Sequence, residues 1–131
     1  MKLTSVRLRA VALSGALVLL AACVSPAGAP GPAVAKGYIV AEIQVTNPEP
    51  YKAYLAAVTP MVEAHGGAYI VRAGQAEAHE GAAPAGRMVV IAFPSFADAK
   101  AFYDSPEYAD VVHLRTDNAV SRILILEGTA P

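Results

Sequence analysis

Between Gly37 and Leu126 the apolar residues switch from a period of two to a period of three and four and back again, twice over. No other feature restricts the fold as much, because period two marks a half-buried strand and a 3–4 spacing marks an amphipathic helix. Gly37–Thr46 (GYIVAEIQVT) reads as the first strand. Asn47-Pro48-Glu49 is then a helix start, with Asn as N-cap, Pro at the first helical position and an acid in the first turn. Tyr51, Tyr54, Leu55, Val58, Val62 and His65 supply the apolar stripe, Pro60 is expected to kink it, and Gly66-Gly67 to stop it.

Ala68–Ala73 reads as a second strand broken by Gly74. Gln75–Glu80 is a candidate short hairpin arm, Gly81–Gly86 a loop, and Arg87–Phe93 a strand. Ser95 with Asp98 opens a helix carrying Phe96, Ala99, Phe102 and Tyr103. Ser105-Pro106-Glu107 opens another through about His113, and Ala119–Leu126 is the last strand. The order β-α-β-(β)-β-α-β predicts an α+β, ferredoxin-like βαββαβ fold, an antiparallel sheet with helices on one face.

Strand alternation adds a prediction about assembly. Ile39, Ala41, Ile43 and Val45 suit the helix side, leaving Tyr38, Val40, Glu42 and Gln44 on the other face. Met88, Val90 and Ala92 share that second face, and the last strand is apolar on both sides. A face this apolar needs a cover, and a second copy of the chain is the simplest one. A homodimer packed sheet to sheet is therefore expected.

The chain outside this region has a different grammar. Lys2, Arg7 and Arg9 precede an apolar run, Ala10–Leu20, that suits a signal peptide and falls short of the ~20 residues of a spanning helix. Leu20-Ala21-Ala22-Cys23 follows and resembles the bacterial lipobox, in which the Cys is acylated and the chain is cut just before it. The alternative, cleavage after Ala27-Gly28-Ala29, is opposed by Pro30. The division expected is a leader over 1–22, a lipidated Cys23 with a Pro/Gly-rich tether over 23–36, and a domain over 37–128. The tether would be disordered and reach about 40 Å at ~3.1 Å per residue. Cys23 is the only cysteine, so no intrachain disulfide is possible. Val24, in place of Asp, favours the outer membrane of a double-membrane bacterium, with the domain exported on its periplasmic face. Loss of Lys2, Arg7 and Arg9 would leave 7 basic against 11 acidic side chains, a net charge of −4. With no basic stretch and no aromatic–basic interleaving, nucleic-acid binding is not expected.

A family resemblance is carried by an ordered set of pieces: Lys36-Gly37-Tyr38, Asn47-Pro48 with Tyr51 and Tyr54, His65-Gly66-Gly67, and Tyr69 to Gly74. Glu80-Gly81, Arg87 to Ser95, Tyr103 to Tyr108, Arg115 and Glu127-Gly128 complete it. Residues 36–128 resemble the domain-of-unknown-function family 1330, of the dimeric α+β barrel superfamily. The resemblance implies a dimeric α+β barrel and no settled activity. Superfamily relatives include small monooxygenases, isomerases and haem enzymes, which often hold ligands between sheet and helices. Ala92 departs from the family, which commonly has Glu two residues before the Pro-Ser, so no carboxylate role carries over to that position.

The candidate ligand-binding residues are Tyr38, Glu42, Arg72, Tyr103 and Tyr108. Alternation places Glu42 on the face away from the helices and Arg72 with Ala68 and Ile70. Charges in an apolar face need partners. One reading is a pocket where Arg72 recognises an anionic or carbonyl-bearing ligand and Glu42 acts as acid, base or orienter. The other is an ion pair at the dimer rim. Arg87, Arg115 and Tyr69 form a further group with Tyr103 and Tyr108. Ser105 reads as a helix cap, and Tyr108 has the further reading of a core aromatic with its hydroxyl at the surface. His65, His79 and His113 fall on separate elements, no phosphate loop exists, and no metal or cofactor is expected. Two functions remain: a small-molecule binding or catalytic module of the cell envelope, or a non-catalytic dimeric interaction module.

Overall fold

The computed structural model describes residues 33–130; the expected leader, Cys23 and most of the tether lie outside the described residues. Seven elements follow in the order β1 (Gly37–Val45), α1 (Pro48–Ala64), β2 (Ala68–Arg72), β3 (Arg87–Phe93), α2 (Phe96–Tyr103), α3 (Pro106–Thr116) and β4 (Ala119–Glu127). The four strands form one antiparallel sheet in the order β2-β3-β1-β4, the ferredoxin-like arrangement. The stretch Gln75–Glu80 forms no strand: residues 73–86 are an irregular connection, exposed apart from half-buried Pro84 and Gly86. Its apolar residues are all alanine or proline, too little side chain to hold an arm against the sheet.

The helix signals differ in how they act. Gly66 takes the left-handed conformation at φ 74°, and the N–H groups of Gly66 and Gly67 donate to the carbonyls of Glu63 and Val62 at 3.0 and 2.8 Å. That is a Schellman stop. Ser95 and Ser105 accept from the backbone N–H of Asp98 and Tyr108 as helix caps. Asn47 occupies the N-cap position of α1, but its side chain makes no capping bond. The third helical residue is Pro50, which has no N–H to offer it. α1 also continues through Pro60 to Ala64.

The core lies between sheet and helices. Ile39, Ala41 and Ile43 of β1 and Val89 and Ile91 of β3 point inward against Tyr51, Tyr54, Val58, Val62, Phe102 and Tyr108. α2 sits close to the sheet because its contact residues are small: Ala99 is fully buried, and a Cβ on Gly37 would lie 2.2 Å from the Ser95 carbonyl oxygen. α1 instead packs mainly against α3. The rings of Tyr51 and Tyr54 stand between it and the sheet, and a narrow space remains there.

Candidate functional site

That space is a pocket between α1, the start of α3 and the inner faces of β1–β3. Its floor is aliphatic, from Ile39, Ala41, Val89 and Ile91, and its polar groups are tyrosine hydroxyls and two guanidinium groups. Tyr51, Tyr54, Tyr69, Tyr103 and Tyr108 line it with Arg72 and Arg87, and among the described residues no carboxylate, imidazole or lysine does. It offers about 40 Å³ to the centres of water molecules, room for a few waters. The hydroxyls of Tyr54 and Tyr108, both buried, lie 3.2 Å apart. Rings pack on through Tyr51–Tyr54 at 5.5 Å and Tyr103–Tyr108 at 5.1 Å.

Arg72 reaches this pocket through an irregularity in β2. Tyr69 pairs with Ile91, Val71 with Val90 and Arg72 with Val89, so Ile70 is an extra residue in the ladder. Such a bulge shifts the facing of the residues beyond it. Arg72 therefore shares the inner face with Tyr69, whose ring lies 4.2 Å from its guanidinium carbon, and donates to Thr59 Oγ1 of α1 at 2.7 Å. Strict alternation put Arg72 on the face of Ala68 and Ile70, so that expectation is corrected.

Glu42 and Arg72 are consequently on opposite faces of the sheet and are not brought together. Glu42 pairs across the strands with Met88 and Arg122, and its Oε1 accepts from the Ala85 N–H at 2.6 Å. It borders an open cleft of about 170 Å³ on the outer face, with Ala85 and Arg122. Tyr38 is also outside the inner pocket, paired with Ala92 and Leu126 and packed beside Gly128. Ala92, where a family carboxylate is common, lies between Ala68 and Tyr38 on that outer face. Of the five candidates, Arg72, Tyr103 and Tyr108 line the inner pocket. In the sequence Tyr51 and Tyr54 were legible as part of the apolar stripe of α1 and of the family resemblance, not as site residues.

A sequence profile described as "Domain of unknown function (DUF1330)" matches residues 36–129. The chain belongs to this family. Among solved structures, the domain is similar to the RPA0582 protein of unknown function from Rhodopseudomonas palustris, at 22% identity and a TM-score of 0.58, over 77% of this chain and 88% of that one. The methylated form of RPA0582 is similar at 21% identity and a TM-score of 0.55, over 77% and 86% of the two chains. These likenesses establish the fold. No curated protein matches the chain.

The electrostatics of the DUF1330 pocket follow from burial. Desolvation raises the pKa values of the Tyr51, Tyr54 and Tyr69 hydroxyls above the ordinary 10.0, with Tyr108 adding to the rise at Tyr54. All three are neutral at physiological pH. Arg115, on α3, is 5% exposed and stands beside Tyr108, Tyr54 and Tyr103. Burial works against its charge, but the tyrosines together outweigh that and hold its pKa above the ordinary guanidinium value. No arginine of the described residues has a carboxylate within salt-bridge distance. The Nε atoms of Arg87 and Arg115 are buried without a hydrogen-bond partner.

Proposed function

We propose that this DUF1330 protein is a cell-envelope lipoprotein whose domain forms a homodimer and binds a small anionic or carbonyl-bearing molecule in the inner pocket. One observation carries the ligand class: Arg72 and Arg87 line the pocket and, among the described residues, no acidic side chain does. A concave apolar site with a few convergent polar groups is the usual form of a small-molecule site, and guanidinium groups suit carboxylates and other oxyanions. The reading is recognition rather than acid–base chemistry. The pocket's ionisable groups are tyrosine and arginine, and three of the tyrosines hold their protons more tightly than usual.

Arg72, which lines the cavity, bridges from β2 to Thr59 on α1. Arg72 is exposed, so it is able to exchange the Thr59 hydroxyl for a ligand anion without unpacking the core. The dimer is supported by the outer face, where Val120, Leu124 and Leu126 are 67%, 39% and 46% exposed in one protomer. The anchor, and an outer-membrane address on the periplasmic side, rest on the sequence pattern ending in Cys23-Val24.

A thermal-shift screen of the mature chain with small carboxylates tests the binding reading. A melting temperature that rises with carboxylate concentration, and does so less in Arg87→Met, is the expected result. Indifference to every carboxylate at millimolar concentration refutes it. Sedimentation at micromolar concentration tests the dimer, and mass spectrometry of the mature N-terminus tests the lipid on Cys23.

A further inference from the structure

Building on that reading, we infer that the ligand is an oxygen-substituted aromatic carboxylate: a flat ring with a carboxyl group at one end and a hydroxyl or carbonyl oxygen elsewhere on the ring. Two sets of polar groups stand out among the residues that line the pocket. The first set is Arg72 and Arg87, which lie on neighbouring strands and both line the pocket. The guanidinium carbon of Arg87 stands 5.9 Å from the Tyr51 ring centre. A carboxylate is the group a guanidinium fork binds with two parallel hydrogen bonds. The Tyr51 and Phe102 rings and the side chains of Ile39, Ala41 and Ile91 line the same pocket, surfaces that suit the flat faces of a ring.

The second set is the hydroxyl pair of Tyr54 and Tyr108. Two hydroxyls carry two protons, and one proton is used in the bond between them. The other is taken by no acceptor among the described residues. Arg115, buried beside both rings, has only donors, so it offers that proton no acceptor and instead favours the hydroxyl oxygens as its own partners. The spare O–H is thereby left for an oxygen in the pocket that both tyrosines line. A buried hydroxyl proton without an acceptor is unfavourable, and a ligand oxygen relieves it. A simple aliphatic anion would satisfy the arginines and leave the hydroxyl pair as it is.

The experiment is calorimetric or NMR titration of the mature chain, residues 23–131 carrying Cys23→Ser, with benzoate, 3-hydroxybenzoate and 4-hydroxybenzoate at neutral pH. At least one hydroxybenzoate is expected to bind about 10-fold tighter than benzoate, the worth of one buried hydrogen bond. That preference should fall to about one when both hydroxyls are removed, in the double variant Tyr54→Phe/Tyr108→Phe, since either hydroxyl alone still carries a free proton, whereas Arg87→Met should weaken all three probes alike. Equal binding of benzoate and both hydroxybenzoates by the unsubstituted pocket overturns the inference and leaves the anion reading standing. Failure of all three to bind overturns the inference; if acetate and other small carboxylates also fail, the anion reading falls with it. Both of these outcomes are measured on the unsubstituted pocket, so neither depends on a variant folding. A hydroxybenzoate preference that persists in the double Phe variant also overturns the assignment of the hydroxyl pair.

Discussion

Replacing Tyr54 by Phe removes one oxygen from the buried pair and leaves the ring packing with Tyr51 in place. The Tyr108 hydroxyl then stays buried without its partner. A net hydrogen bond is worth about 1 kcal/mol, and stranding the remaining group adds desolvation, so the loss should be about 1.5–2 kcal/mol. Tyr108→Phe should cost about the same for the same reason. In the double variant neither hydroxyl is stranded, and Arg115 alone is short of neighbours. Its loss should be about 2 kcal/mol rather than the 3–4 of independent sites, a coupling of roughly 1–2 kcal/mol. Urea unfolding of the four proteins at pH 7 measures the cycle. Losses that add to within ~0.5 kcal/mol would show that the two hydroxyls do not act as a unit, and would remove the basis for a spare proton.

Raised tyrosine pKa values make stability sensitive to alkali. Unfolded tyrosines ionise near pH 10.0 while buried Tyr51, Tyr54 and Tyr69 keep their protons to higher pH. Above pH 10 the native state therefore binds more protons than the unfolded one, so stability is complete below that pH and falls as pH rises beyond it; urea midpoints from pH 8 to 11.5 should show the fall, with a shallower slope in Tyr54→Phe. Ala73 holds φ 55°, a left-handed conformation that penalises a Cβ, so Ala73→Gly should stabilise by about 0.5 kcal/mol despite the looser unfolded chain. A Cβ on Gly86 would lie 2.1 Å from the Ile43 carbonyl oxygen, whereas one on Gly74 would meet nothing within 4 Å. Thermal denaturation should show Gly86→Ala losing more than about 2 kcal/mol and Gly74→Ala changing by less than about 0.5.

Local rules made much of the fold legible. Ser95 and Ser105 are helix caps in sequence and structure because the cap needs only the residue three positions on. Gly66-Gly67 stops α1 because left-handed backbone favours glycine. The same kind of rule failed at Asn47, where the next residues are Pro48, Glu49 and Pro50, and a cap is only as good as the N–H groups it faces. It also failed at Ala73, which takes the positive φ although Gly74 stands beside it.

Alone, the sequence determined the order of elements, the inner faces of β1 and β3, and the pattern around Cys23. Each depends on spacing along the chain. The tertiary structure decided which side chains share a pocket. Arg72 lies with Tyr69 and Arg87, and apart from Glu42, because β2 pairs with β3 through an extra residue at Ile70. A bulge is a property of two strands in register, and the segment Tyr69–Arg72 carries no local mark of it. The Tyr54–Tyr108 pair depends likewise on α1 meeting α3 across 54 residues of chain. Large rings hold α1 off the sheet where small residues let α2 approach it, and that difference in side-chain size leaves the pocket between them.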